Sequence, residues 1–347
     1  MRSPFVVVVV VVVVAAVVSS CAAPSGDQAA VDPPIDNEPG LDDRFLGDEP
    51  CAAASAGLQI EETAGFAAGG APRSVVVVMG GSTEVDAGGV RFAAAANGGD
   101  VLVLRASGST SSYTSWFSEE LPIDPAPRAV ATVLTDDVAA GADDAVLCRV
   151  ARADAIWFAG GDQTDYLVGW PKALHESLAR AVARGVALGG TSAGSMALSS
   201  LTFDAREGSL TSEEALLDPA GSALSITPSP FSTDALDGFL VDTHFSERER
   251  LGRLIAFTAR AAADGNAITG IGIDEETSLT IDGDTLLVEG AGDAWIVQTT
   301  ATITAGSALS AQALVAPLSL QTTWPPQSDA QAPGSALVDV DDGTLTE

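Results

Sequence analysis

Gly185-Val186-Ala187-Leu188-Gly189-Gly190-Thr191-Ser192-Ala193-Gly194 carries a short apolar run straight into a glycine-flanked serine. A buried strand looks like the first part, and the stretch after it, through Leu201, is compatible with a helix. Gly190-Thr191-Ser192-Ala193-Gly194 is therefore a G-x-S-x-G elbow between strand and helix. A sharp turn of this kind exposes the Ser192 oxygen, and the glycines give it clearance. A helix N-terminus behind it favours developing negative charge. The Ala193 backbone N–H is placed to donate to an oxyanion. A small-residue turn that only packs a helix onto a sheet has the same composition, so the motif has to be weighed with its surroundings.

Those surroundings repeat the pattern. Arg73–Met79 is a β-branched run closed by Gly80-Gly81, and Asp100–Leu104 is a second run. Ala129–Leu134 and Ala155–Phe158, the latter before Gly160-Gly161, complete five strands with the 185–188 run. Between them, 171–184 places Leu174, Leu178, Ala181 and Val182 on one helical face. Strand–helix alternation predicts an α/β fold, a mostly parallel sheet with helices on both faces. Ligands in such sheets sit beyond the carboxyl ends of the strands. Three runs end in Gly-Gly, so three glycine turns converge on that edge. After residue 265, turns at Asp282-Gly283-Asp284 and Gly290-Ala291-Gly292 predict a C-terminal β-hairpin appendage. The Ser/Thr/Ala/Pro-rich stretch 306–347 is weakly patterned.

The chain has 347 residues, 46% hydrophobic and 18% charged, which suits a packed core. Lys+Arg is 16 against Asp+Glu 47, a formal net charge of −31. That excludes a nucleic-acid binder, which needs a basic surface, and electrostatic docking on anionic lipid. Lys172 is the single lysine, and His175 and His244 are the only histidines, so a multi-histidine metal site is excluded. No cofactor or metal is expected.

Arg2 precedes an apolar run from Phe5 to Val18. It is short for a bilayer span, which needs about 20 residues, and fits the core of a secretory signal. Val18-Ser19-Ser20-Cys21 resembles the lipobox of bacterial lipoproteins, which implies lipidation of Cys21 and, with Ala22 following, an outer-membrane address. The expected organisation is a signal over 1–20, a Pro/Asp/Gly-rich tether over 21–70, a catalytic domain over 71–305 and a tail over 306–347. Export implies an oxidising compartment. Cys51 and Cys148 then remain, and the sequence leaves a disulfide and two free thiols equally open.

A serine hydroxyl needs a base. His175 falls on the 171–184 helix near Lys172 and Glu176 and reads as a solvated helix residue. His244 ends a strand run, Gly238–Phe245, with Asp242 two residues before it on the same face. Ser246 and Glu249 match a capping box, which predicts a helix starting there. Arg248, Arg250 and Arg253 follow directly, with Leu251, Leu254, Ile255 and Ala259 as the buried stripe. Arginine binds carboxylates in a bidentate fork, so an acidic substrate is expected.

Four motifs in order carry a resemblance. They are Phe158–Gln163, Gly190–Gly194, Asp242–Phe245 with the three arginines, and Gly270–Glu275. Over about 73–300 the chain resembles the cyanophycinase and dipeptidase E family of serine peptidases. The resemblance implies a fold like the class I glutamine amidotransferases and cleavage of peptide bonds at aspartate. Cyanophycinases cut the polyaspartate backbone of cyanophycin, whose aspartates carry arginine, and release β-Asp-Arg. By position, Ser192 is the implied nucleophile, His244 the base and Glu275 its acid, with Asp274 as the fallback. Ala193 and Gly80 or Gly81, of which Gly81 is preferred, form the implied oxyanion hole. Gln163, Asp242, Arg248, Arg250 and Arg253 line the implied pocket. Cyanophycinases usually carry Gln between the Asp and the His. Thr243 stands there instead, which removes an amide from the pocket. The implied partners are cyanophycin or an Asp-containing peptide and the membrane holding the lipid on Cys21; a homodimer is left open. Two other readings compete. An α/β-hydrolase esterase takes its acid between serine and histidine, from Asp218, Asp234 or Asp237. A non-catalytic surface lipoprotein uses the same pocket to bind acidic peptides.

Overall fold

The computed structural model describes residues 43–318, 325 and 334–346. The signal run, Cys21 and the tether up to residue 42 lie outside the described residues. The strands, in chain order, are β1 (Gln59–Glu62), β2 (Val75–Met79), β3 (Asp100–Arg105), β4 (Ala129–Leu134), β5 (Ala155–Phe158), β6 (Ala187–Thr191), β7 (Leu201–Phe203) and β8 (Ile226–Pro228). They continue as β9 (Phe239–Thr243), β10 (Thr269–Ile273), β11 (Thr277–Asp282), β12 (Thr285–Gly290), β13 (Ala294–Ala301), β14 (Ala311–Leu318), β15 (Ala336–Asp341) and β16 (Thr344–Thr346). The α-helices are α1 (Asp86–Ala95), α2 (Ser111–Ser115), α3 (Asp144–Arg152), α4 (Lys172–Ala183), α5 (Ala193–Ala197), α6 (Ser212–Leu217) and α7 (Leu251–Ala263).

The main sheet runs β1-β4-β3-β5-β6-β2-β11-β12. Its centre, β4-β3-β5-β6-β2, is parallel, and these are the five strands read from the sequence. The period-2 alternation of a strand splits their side chains between two cores. Val76, Val78, Leu102, Leu104, Ile156 and Leu188 face α3 and α4. Val75, Val77, Val101, Val103 and Trp157 face α1 and the aromatic side chains of 113–117. Helices therefore cover both faces, and all five strands are buried apolar runs as a parallel sheet requires.

The expected C-terminal hairpin is β11–β12. It does not stand apart: β11 pairs antiparallel with β2 and extends the main sheet. A second sheet, β16-β15-β14-β13-β10-β9, was not visible in the sequence. Its strands β9 and β10 are parallel, and β13–β16 are antiparallel. Residues 306–347, weakly patterned in sequence, supply three of its strands. Val338 and Val340 alternate with exposed residues and join the core formed with α7.

The body also begins earlier than residue 71. β1 pairs antiparallel with the edge strand β4, and Phe45, Leu58 and Phe66 are buried in the main core. Arg152 is 5% exposed and donates to the carbonyls of Phe45, Phe66, Gly47 and Glu49 at 2.6–2.9 Å. A disulfide joins Cys51 to Cys148 on α3. Residues 43–70, read as tether, are thus clasped onto α3 and the sheet. Among the described residues no helix is long and apolar enough to cross a membrane.

Candidate active site

β6 ends at Thr191, and the chain turns into α5 through Ser192, whose φ of 52° and ψ of −122° lie outside the ordinary allowed regions. A non-glycine residue held there is strained, and the surroundings must hold it. They do so from the end of β2. Ser192 N–H donates to the Met79 carbonyl at 3.0 Å, His244 N–H to the Gly80 carbonyl at 2.8 Å, and Glu276 N–H to the Gly81 carbonyl at 3.0 Å. Three consecutive carbonyls thus position the elbow serine, the strand-end histidine and the turn carrying Glu275. The glycines at 80 and 81 are required by close approach. A Cβ on Gly80 would lie 1.8 Å from the Asp274 carbonyl oxygen. One on Gly81, whose φ is +101°, would lie 2.3 Å from His244 Cε1.

Ser195, which the sequence reading did not single out, completes this frame. Its buried hydroxyl accepts from Met79 N–H at 2.8 Å and lies 2.8 Å and 2.7 Å from the Met79 and Gly190 carbonyls. The signal was present as a serine one turn into the helix after the elbow, but nothing local showed that the neighbouring strand would reach it.

The side chains then meet. Ser192 Oγ lies 2.7 Å from His244 Nε2, and His244 Nδ1 lies 2.6 Å from Glu275 Oε1. Glu275 is itself held by a bond from its N–H to Glu247 at 3.1 Å. Asp274, the fallback acid, is engaged elsewhere: it accepts from the backbone of Ser246 and Asp293, both at 3.0 Å. Asp218, Asp234 and Asp237 are not the partners of His244. His175 Nε2 lies 2.7 Å from the Tyr166 carbonyl, and its ring packs near Phe231, away from this chain of bonds. It is half-buried rather than solvated.

Burial pushes the His244 pKa below its ordinary value, the Glu275 hydrogen bond pulls it back up, and the Arg248 and Arg250 charges lower it further. The net direction is down, so the His244 imidazole is neutral at neutral pH. Glu275 is held below the usual carboxylate range, first by its hydrogen bond to His244.

A cleft of about 200 Å³ opens beside this chain of side chains, lined by Gln163, Ser192, Thr243, His244, Arg248 and Arg250 among others. The arginines divide into different roles. Arg248 is exposed. Arg250 is 8% exposed, donates to the Thr243 carbonyl at 2.6 Å, and has its pKa lowered to about 10, chiefly by burial. Arg253, although it borders the cleft, is 1% exposed and forks onto Asp242 at 2.7 and 2.5 Å. It also donates to the Leu210 carbonyl at 3.0 Å, with its guanidinium over Phe203 and Phe257. Asp242 is fully buried and does not line the cleft. The Asp242–Arg253 pair therefore ties β9 to α7; contrary to expectation Asp242 does not line the cleft, whereas Arg253 does. Gln163 does line the cleft and donates to the Phe203 carbonyl at 3.3 Å. The helix after His244 starts at Leu251, not at Ser246. Ser246–Arg250 form turns instead, because Asp274 takes the Ser246 N–H and Glu249 has a φ of 51°. The expected Ser246–Glu249 capping box is absent; one occurs at Thr211–Glu214.

A hydroxyl, an imidazole and a carboxylate linked in series, with the hydroxyl on a strained elbow, form the constellation of the serine hydrolases. The model of Peptidase family S51 matches residues 135–288, which span Ser192, His244 and Glu275. Cyanophycinases from Synechococcus elongatus and from Thermosynechococcus vestitus are each 33% identical over 174 residues, 49% of this chain and 49% of theirs. Residues 135–288 are thus similar to Peptidase family S51. The chain spans about half the length of the curated relatives it matches. Among solved structures, a peptidase from an acI-B1 actinobacterium is similar with a TM-score of 0.47 and 18% identity, over 73% of this chain and 97% of that one.

Proposed function

We propose that the protein is a serine-type peptidase that hydrolyses aspartyl peptide bonds, with cyanophycin as the leading substrate. The observation that carries this reading is the unbroken chain Ser192–His244–Glu275 beside a cleft bordered by Arg248 and Arg250. Ser192 Oγ attacks the scissile carbonyl while His244 Nε2 takes its proton. Glu275 holds the imidazole through Nδ1 and stabilises the imidazolium that forms. The developing oxyanion is placed towards the N–H groups of Ala193 and Gly81. Ala193 opens α5, so its N–H has no acceptor within that helix. His244 then returns the proton to the leaving amine, and water enters by the same route to release the acyl group. Arg248 and Arg250 supply the positive charge that a carboxylate-bearing substrate needs in a chain of net charge −31. The similarity to cyanophycinases favours a substrate built from aspartate and arginine.

Incubation with cyanophycin and with α- and β-linked Asp-Arg peptides, followed by mass spectrometry, tests this. Release of β-Asp-Arg by the wild type and not by Ser192→Ala is the expected result. Intact polymer and peptides with both proteins would refute it. The competing reading, a surface protein that binds acidic peptides without cleaving them, gives that second outcome.

Export and lipid attachment at Cys21 belong to the same proposal. The run Phe5–Val18 before Val18-Ser19-Ser20-Cys21 supports them, and the Cys51–Cys148 disulfide fits an oxidising compartment. Labelled palmitate on the wild type and none on Cys21→Ser is expected. Equal label on both would remove the lipid assignment.

A further inference from the structure

β9 and β10 are parallel neighbours whose register ends at the pair Thr243–Ile273. His244 and Asp274 follow at equivalent positions, and Glu275 stands one residue further. The proposed base and its acid therefore sit on two turns beyond the strand ends. Both turns carry strained backbone: φ is 50° at His244 and 52° at Glu276. Strain of this kind persists only where the surroundings over-determine it. Three hydrogen bonds between the two turns continue the ladder past its end. Phe245 N–H donates to the Ile273 carbonyl at 3.1 Å. Ser246 N–H donates to Asp274 Oδ1 at 3.0 Å, and Glu275 N–H donates to Glu247 Oε2 at 3.1 Å. The last two are reciprocal. The residue before the acid accepts from the turn of the base, and a residue on the turn of the base accepts from the backbone of the acid.

The two carboxylates are anchored differently. Asp274 is 5% exposed, and its Oδ2 also accepts from Asp293 N–H at 3.0 Å, which fixes the turn of the acid to the start of β13. Glu247 is exposed, so the core does not require a carboxylate there. It brings a second negative charge to Glu275, which like-charge repulsion disfavours unless the bond compensates. Neither residue lines the cleft beside Ser192. We propose that Glu247 and Asp274 are positioning residues, a reciprocal clamp that holds Glu275 Oε1 against His244 Nδ1 at 2.6 Å. The carboxylate orients the imidazole, and the imidazole must meet the Ser192 hydroxyl in line; a misplacement of about 1 Å at such a site costs on the order of a hundredfold in rate. This inference rests on the reading of Ser192, His244 and Glu275 as nucleophile, base and acid.

Inactivation kinetics with a fluorophosphonate, the adduct mapped to Ser192, test the clamp in wild type, Glu247→Ala, Glu247→Gln and Asp274→Asn. The limiting inactivation rate of Glu247→Ala should fall about tenfold. Its half-saturating concentration and thermal midpoint should not change, since the side chain is exposed and outside the cleft lining. Glu247→Gln keeps an oxygen that accepts the Glu275 N–H and should restore most of the rate. Asp274→Asn offers one oxygen where two are used, so it should slow the same step and also lower the thermal midpoint. A Glu247→Ala protein with the wild-type limiting rate overturns the clamp and leaves the reading of the three residues standing. So does a Glu247→Gln protein as slow as Glu247→Ala, which marks charge and not the bond as the cause. A change confined to the half-saturating concentration overturns it as well, because that reports recognition. A destabilised Asp274→Asn with the wild-type limiting rate removes Asp274 from the clamp. A wild type that takes no label at Ser192 overturns the reading of the three residues, and the clamp with it.

Discussion

At the residue scale, two arginines five positions apart do different work, and the difference is measurable. Arg253 is buried in a bidentate pair with Asp242. Removing one partner leaves an uncompensated buried charge, so Arg253→Ala should lose about 3–5 kcal/mol of unfolding free energy in a denaturant titration. Arg248 is exposed at the cleft mouth. Arg248→Ala should leave the denaturation midpoint unchanged and raise KM for an acidic peptide. Arg248 also sets the base. His244 carries a lowered pKa, so it stays competent as pH falls below the ordinary histidine value of about 6.5 and loses function only when it protonates. The acid limb of the kcat/KM profile should therefore lie below that value. Arg248→Ala removes a charge that opposes protonation, so the limb should move to higher pH; a limb that stays in place would disconnect Arg248 from the base.

The three-dimensional roles of these residues were only partly legible in the sequence. Ser192 and His244 stand out because a strand-to-helix elbow and a strand end are local patterns. Glu275 could not be separated from Asp274 by pattern, since only the turn after β10 decides which carboxylate reaches His244 Nδ1 and which caps the Ser246 backbone. Asp242 and Arg253 were both expected in the pocket from the resemblance, and only the packing shows that Arg253 spends its guanidinium on Asp242, which lies outside the cleft lining.

At the scale of elements, β2 to β6 were legible because each is a buried run with apolar side chains on both faces. The second sheet was not. β15 is exposed at alternate positions, and its pairing partner β14 is distant from β9 and β10 in sequence, so no local period announces the sheet. β1 was hidden in an alanine- and glycine-rich stretch, 51–71, whose composition reads as linker. The glycine turn after β2 is the element that joins Ser192, His244 and the turn carrying Glu275. Gly81→Ala combines a Cβ 2.3 Å from the His244 ring with a strained φ of +101°. It should abolish turnover while far-ultraviolet circular dichroism stays native, because the displaced group is the imidazole at the sheet edge. Ser195→Ala removes an oxygen shared by Met79 and Gly190 and should lower both stability and kcat. Full activity in either variant would mean that the turn does not position the triad.

At the scale of the whole molecule, the clasp around α3 and the charge of the chain carry the remaining expectations. The Cys51–Cys148 bond closes a loop with a sequence separation of 97 residues. Loop-closure entropy assigns such a cross-link about 4–5 kcal/mol. Reduction, or a Cys51→Ser and Cys148→Ser pair, should lower the thermal midpoint by roughly 10 °C in calorimetry. The net charge of −31 repels acidic polymers at long range. Any cleavage of free polyaspartate should therefore rise with salt, since screening shortens the Debye length to about 8 Å at physiological ionic strength. Cleavage of cyanophycin, whose arginines offset its carboxylates, should change less. All of this presupposes that Ser192 is a nucleophile activated by His244 and Glu275. The most direct measurement is intact-protein and peptide mass spectrometry after exposure to a fluorophosphonate, for wild type, His244→Ala and His175→Ala. One adduct on Ser192 in the wild type and in His175→Ala, and almost none in His244→Ala, is the predicted result. No adduct on Ser192, or equal labelling in all three proteins, would contradict it.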